Sequence, residues 1–434
     1  MVNLASKKNK VLIISYYWPP AGGPGVQRWL KFVKYLPKFG ISPHVYIPKN
    51  PSYPILDFDM VSEIDDDVVL IKRNIFEPYQ IAAFFLGKKI QKISSGIIPN
   101  NGNQSIFEKI VLRIRGNFFV PDARIFWVRP SVKFLSKYIK DNNITTIVTT
   151  GPPHSLHLIG LKLRQKFDIR WIADFRDPWT TIGYQKSLGL SKFAAQKHKG
   201  LEQKVLQTAD QIIVTSPTTK TEFLQITSKP IEVITNGYDD IENFDTPAID
   251  KLFSVAHIGS LLSERNPLFL WEIFQELKME IPTFSQDFQL KLIGKVSEEV
   301  LASIDLFGLT ANLDKIGYLS HNEAIIEQRK SQILLLVEIN SDETKSIIPG
   351  KLFEYLVSKR PIIAIGPKGS DIKNIIEDSQ TGIFADYSEK VILKTHILDL
   401  YNRFKSDTIL VQAKNIEQYS RLHLTEKLVN ILNF

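Results

Sequence analysis

A glycine-rich stretch follows the first apolar run of the chain: Tyr17-Trp18-Pro19-Pro20-Ala21-Gly22-Gly23-Pro24-Gly25-Val26-Gln27-Arg28. Glycines between a strand and a helix let backbone N–H groups approach a ligand at the positive end of that helix. The spacing is not G-x-G-x-x-G, because only Gly23 and Gly25 fit and Arg28 holds the third place. The next apolar run ends in Ile47-Pro48-Lys49, with no acid for a ribose hydroxyl. Both features argue against a dinucleotide site. What remains is a loop open to a ligand, or a purely structural turn.

Three further stretches put reactive side chains where an apolar run stops. Thr149-Thr150-Gly151-Pro152-Pro153-His154-Ser155 places His154 at a loop tip, while His157 reads as packing. In Asp174-Phe175-Arg176-Asp177-Pro178-Trp179, three charges close a buried run, which is costly unless they are paired or functional. They can form a local ion-pair network or offer carboxylates to substrate hydroxyls. The last stretch is bipartite. His257-Ile258-Gly259-Ser260 leads to Ser263-Glu264-Arg265, and later Pro349-Gly350-Lys351 enters a helix carrying Glu354. Free N–H groups, a helix dipole and a cation suit a diphosphate, and a carboxylate one turn on suits vicinal hydroxyls. A plain Lys351–Glu354 surface pair is the alternative. No His/Asp/Glu set has convincing metal-ligand spacing, so no metal or other cofactor is expected. The chain has no cysteine, which excludes disulfides, thiolate metal sites and a thiol nucleophile.

The elements that must position these residues follow from periodicity. Apolar runs at 11–16, 43–47, 146–150, 170–173, 211–215 and 231–235 read as strands, with a second series at 253–258, 288–293, 332–337, 361–365 and 382–385. Most are apolar on both faces, as in parallel strands covered by helices on each side. Helical patterns alternate with them at 25–39, 154–166, 266–278 and 350–358. The prediction is α/β, two doubly wound Rossmann-like domains. A length of 434 residues agrees, since one core stops growing at roughly 250–300. The expected linker is 237–251, and 407–433 reads as a final helix.

Charge divides at the same place. Residues 1–237 carry 33 Lys+Arg against 17 Asp+Glu, whereas 238–434 carry 21 against 29. The two halves therefore suit different partners. Residues 72–133 hold eleven Lys/Arg and three acids among several aromatics. Its segment IAAFFLGKKIQKISSGIIP has the composition of an interfacial helix on anionic lipid, or of an ordinary insertion with a solvated basic face. No nucleic-acid motif accompanies it, so no nucleic acid is expected. Lys7, Lys8 and Lys10 before an apolar run imitate a signal peptide, but no A-x-A-like site follows and a buried first strand explains the run better. No apolar stretch is long enough to span a bilayer. A cytoplasmic chain is expected, peripheral to the inner face of the plasma membrane if the basic insertion meets lipid.

Taken in order, these motifs resemble retaining glycosyltransferases of family 4, whose fold is GT-B. YYWPPAGGPGVQRWLKF is similar to that family's first loop and helix. TGPPHSLH and IADFRDPW resemble a subgroup associated with bacterial surface polysaccharide assembly, and HIGSLLSERNP, LIGK and PGKLFEYL resemble the donor-binding half. The resemblance spans nearly the whole chain. It implies two domains facing a cleft: an acceptor-side domain at 1–237 carrying the basic insertion, a nucleotide-sugar domain at 238–406, and a helix at 407–434 crossing back.

The same resemblance implies a hexosyltransferase-type enzyme moving sugar from a nucleotide-diphosphate donor to a glycan or lipid-linked acceptor. Glu354 matches the second acid of the family's E-x7-E element and would hold ribose. Arg265 takes the place of a phosphate-binding Lys, helped by Gly350 and Lys351. Gly23 would approach the donor phosphates, and Gly294 and Tyr318 would lie near the base. Within that reaction His154 and Asp177 are the catalytic candidates, and Asp174 and Arg176 the acceptor-side ones. Two positions depart from the family: Ser346 replaces the first acid of E-x7-E, and Ser260 replaces the Arg of its phosphate pair. A catalytically silent sugar-binding scaffold and a sugar-nucleotide epimerase stay open as alternatives.

Overall fold

The both-faced apolar runs form two all-parallel sheets. The computed structural model describes residues 9–78, 106–239 and 247–433. They fall into two compact units, one of residues 1–235 with 421–434 and one of residues 236–420.

Unit 1 is built on β1 (Asn9–Ile14), β2 (Ile41–Pro48), β3 (Val69–Arg73), β4 (Thr146–Gly151), β5 (Arg170–Phe175), β6 (Gln211–Val214) and β7 (Ile231–Val233), in the order β3-β2-β1-β4-β5-β6-β7. Alternation along a strand sends side chains to opposite faces. Leu12 and Ile14 accordingly pack with Trp127, Leu156 and Trp171, while Val11 and Ile13 pack with Trp29 and Leu428 on the other face. The helices that matter below are α1 (Pro24–Tyr35), α2 (Ile106–Phe118), α3 (Ile125–Asn142), α4 (Ser155–Arg164), α5 (Lys192–Thr208) and α6 (Pro217–Leu224). Ser191 caps α5 by accepting from the Ala194 N–H, and Ser216 with Pro217 starts α6 in the same way.

Unit 2 holds β8 (Phe253–Ile258), β9 (Phe288–Ile293), β10 (Leu313–Ile316), β11 (Ile333–Val337), β12 (Ile362–Gly366) and β13 (Gly382–Asp386), ordered β10-β9-β8-β11-β12-β13. Its helices are α7 (Leu268–Glu280), α8 (Pro282–Asp287), α9 (Glu298–Leu306), α10 (His321–Lys330), α11 (Gly350–Leu356), α12 (Asp371–Ser379) and α13 (Lys390–Lys405). Ser320 and Glu323 form a capping box on α10. Strand order reverses between β1 and β4 in unit 1 and between β8 and β11 in unit 2. Ligands of open α/β sheets bind beyond the strand carboxyl ends at such reversals.

Three expectations need correction. Strands β3 and β10 were not foreseen, because each lies at a sheet edge and is mostly not buried, so it lacks a continuous apolar run. The final helix is α14 (Arg421–Leu432), not 407–433. Asp407 and Asn415 adopt left-handed φ of 56°, and Ile409, 4% exposed, packs into the core of unit 2. Residues 407–420 therefore belong with unit 2. The segment 81–99 of the basic insertion and part of the 237–251 linker lie outside the described residues.

Candidate functional site

In unit 1 the loops after β1, β4 and β5 converge at the strand-order reversal. The glycine loop is pinned from one side: Gly22 N–H donates to Ile55 O at 3.0 Å and Asp57 N–H to Pro20 O at 2.8 Å. Gly23 has φ 97° and directly precedes Pro24, the first residue of α1. From the other side, Arg176 donates to Gly25 O at 2.7 Å, to Pro152 O, and to Gly151 O at 3.4 Å. One guanidinium thus joins all three loops, so Arg176, expected to contact an acceptor, spends its donors on backbone carbonyls.

Asp174 is a clearer correction. It is fully buried and accepts from Arg28 at 2.9 and 3.4 Å, Trp29 Nε1 at 2.6 Å and Thr150 Oγ1 at 2.8 Å. Burial pushes its carboxyl up, but Arg28 and these hydrogen bonds outweigh burial and hold it below the usual carboxylate range. Arg28 also donates to Thr235 O at 2.8 Å. Asp174 anchors α1 to β5 and has nothing left for a substrate.

Asp177 behaves oppositely. It is half-buried and has no hydrogen-bond partner among the described residues. Burial raises its pKa against the pull of Arg176, with Asp174 adding to the rise. A carboxyl so placed favours a proton more than a surface acid does.

His154 is 5% exposed, and neither ring nitrogen has a hydrogen-bond partner among the described residues. Its ring stacks on Trp179 at 5.0 Å and 2°. Burial, with His157, Arg176 and His198 adding to it, lowers its pKa well below the ordinary value, so the imidazole is neutral at pH 7. His157 packs as expected: Nδ1 meets Thr149 Oγ1 at 2.8 Å, and burial lowers its pKa to about 3. The turn demands glycine at 151, since a Cβ there would lie 2.6 Å from His157 Nε2 and 3.0 Å from His154 Nδ1.

The residues that hold this pair were missed in the sequence. Trp179 Nε1 donates to His198 Nδ1 at 3.0 Å, and Glu202 accepts from the Trp179 and Thr180 N–H groups at 3.2 and 3.1 Å. His198 and Glu202 sit four apart on α5, so they face the same way. That spacing was the available signal, and it looked like one more amphipathic helix.

In unit 2 the reversal brings together the ends of β8, β9 and β11. Gly259 and Gly294 have φ of 118° and 110°, and a Cβ on Gly294 would sit 2.9 Å from Gly259 O. Only glycines let these two turns approach so closely. Lys351, at the start of α11, donates to Ile258 O at 3.0 Å, and its Nζ lies 3.5 Å from where a Gly259 Cβ would be. Burial lowers its pKa to about 8, with Arg265 adding to the effect and Glu338 opposing it. Arg265 Nη2 meets Glu338 Oε2 at 3.3 Å, while its buried Nε has no partner among the described residues.

Glu338, beside both cations, is not among the residues expected from the sequence. It directly follows the ILLLV strand, is 2% exposed, and burial raises its pKa against both cations. A single acid closing an all-apolar strand was the signal. Glu354 does not pair with Lys351: it accepts from Gln328 Nε2 at 3.1 Å and lies 3.8 Å from His321 Nε2. Gly350 opens α11. Ser260 is exposed, and Tyr318 is 91% exposed on the loop after β10. The cluster offers two cations, Lys351 and Arg265, beside a close glycine pair, an arrangement suited to a phosphorylated ligand.

Residues 96–241 match the sequence model of Glycosyltransferase Family 4. No curated protein sequence matches the chain. Among solved structures, sucrose-phosphate synthase from Thermosynechococcus elongatus shares 14% identity over 98% of each chain at a TM-score of 0.60. A glycosyltransferase from Rickettsia africae shares 15% over 98% of each at 0.60. S. aureus TarM, in complex with fondaparinux, alpha-GlcNAc-glycerol and UDP, shares 13% over 98% of this chain and 100% of its own at 0.59. The fold is therefore that of GT-B glycosyltransferases. With the family match, it supports a glycosyltransferase of GT-B type.

Proposed function

We propose that this chain, with a family 4 glycosyltransferase segment at residues 96–241 and a GT-B fold, moves a hexose from a nucleotide-diphosphate sugar to a glycan or lipid-linked acceptor. The carrying observation is the Lys351–Arg265–Glu338 cluster beside Gly259 and Gly294. Burial and Arg265 lower the pKa of Lys351, and an anion bound beside the two cations relieves that cost, so the site favours a diphosphate electrostatically. Cleaving the sugar–phosphate bond builds negative charge on the leaving group, and fixed cations stabilise that charge as it forms. In the retaining route, the leaving phosphate can take the acceptor's proton, which removes the need for a dedicated base. His154 and Asp177 then serve to bind and orient sugar hydroxyls, with Asp177 able to donate when protonated.

Glu354 is assigned to ribose through the oxygen that Gln328 leaves free. No resident metal or other cofactor is part of this reading. TarM's complex with UDP and alpha-GlcNAc-glycerol supports a nucleotide and a glycosylated ligand as partners. We place the reaction in surface polysaccharide assembly, at the cytoplasmic side of an anionic membrane.

Glu354→Gln and Arg265→Ala are each expected to abolish transfer with the circular dichroism spectrum unchanged. Full activity in both variants removes the site assignment. Sugar product released without any acceptor would favour an epimerase instead.

A further inference from the structure

We propose that the outward face of α3 and its groove with α4 form a docking surface for an anionic lipid bilayer. The groove, about 530 Å³, is lined by Arg129, Lys133, Lys162 and Lys166, with Ser136 and Gln165 between them. All four cations are exposed, and none makes an ion pair among the described residues. Lys137 and Lys140 continue the row along α3, and Lys140 reaches over Phe167. Spacings of three and four residues put Arg129, Lys133, Lys137 and Lys140 on one side of the helix.

Phosphate contacts alone would not distinguish a bilayer from a soluble polyanion. The apolar end of the same surface does. Phe126, one turn before Arg129, is exposed and meets Phe76 at 5.7 Å and Phe119 at 6.0 Å. On α2, Ile110, Ile114 and Phe118 recur every four residues, all exposed, Phe118 to 79%. An exposed phenylalanine cluster at the end of a row of cations that make no ion pair among the described residues gains nothing from a hydrated polyanion. Cluster and cations together gain burial and charge neutralisation at a phospholipid headgroup layer. The assignment gives a location to the membrane part of the proposed function. It does not depend on the transfer reaction, because vesicle binding is read without any sugar donor.

The test is flotation of the full chain with phosphatidylcholine vesicles, with and without phosphatidylglycerol. Binding is expected only with the anionic lipid and falls as salt rises. Lys133→Glu with Lys166→Glu should weaken it by well over an order of magnitude, as each cation near the surface is worth about fivefold. Phe118→Ala with Phe126→Ala should weaken vesicle binding and leave binding of inorganic polyphosphate unchanged. Unaltered vesicle binding in both double variants overturns the proposal. So does polyphosphate binding as tight as vesicle binding, which would make the groove a site for a soluble polyanion. Neither pair touches the proposed donor or acceptor residues, so transfer to a water-soluble acceptor should persist in both.

Discussion

Asp174 shows how a reactive-looking side chain can be wholly structural. Three charges at the end of β5 must be paired or functional, but their spacing alone does not say which is which. The partner of Asp174 is Arg28, on a helix 146 residues earlier, a pairing no local spacing reveals. Asp174→Asn should leave the buried Arg28 guanidinium without its counter-charge and cost about 3–5 kcal/mol, measurable by denaturant unfolding. The same change at Asp177, half-buried and without a hydrogen-bond partner among the described residues, should leave stability nearly unaltered. His154 and Lys351 stand out in the sequence because each sits at a loop tip or helix start following an apolar run. Glu338, Trp179, His198 and Glu202 do not, because their roles arise only when distant elements meet.

At the scale of elements, interior strands were legible and edges were not. β8 and β9 match the apolar runs residue for residue, since both faces of each are covered. β3 and β10 are covered less, and their sequences show it. The last helix is the most instructive error. Ile409 and Ile416 keep helical spacing with the residues of α14 yet pack into unit 2, while Leu424, Leu428 and Leu432 pack into unit 1. Periodicity cannot see that a run of apolar residues serves two cores. Deleting residues 421–434 would expose the apolar face of unit 1 formed by Val11, Ile13 and Trp29. At roughly 1.5–3 kcal/mol for each large side chain lost from that interface, the truncated chain should melt far below the full one. A deletion that leaves the melting temperature unchanged would contradict the packing of α14.

For the whole molecule, the division of charge becomes chemically sensible. The basic excess belongs mainly to unit 1, where exposed Lys and Arg line a face proposed for lipid. Unit 2 is acidic overall and meets a diphosphate through two local cations, of which Lys351 has its charge held down by burial and by Arg265. The pKa of Lys351 has a consequence with a definite sign. Lowered to about 8 in the folded protein, the amine is charged below that pH and increasingly neutral above it. Affinity for an anion should thus be full below about pH 8 and fall as pH rises through it. Binding above that point should take up a proton, because the anion restores the amine's charge. The decisive measurement is calorimetric titration of UDP, GDP and ADP into the full chain on both sides of about pH 8, repeated with Lys351→Met. The account predicts that at least one nucleoside diphosphate binds saturably, weakens as pH rises past 8, and loses both affinity and pH dependence in the variant. Absence of binding by all three, or equal binding by the variant at every pH, would contradict it.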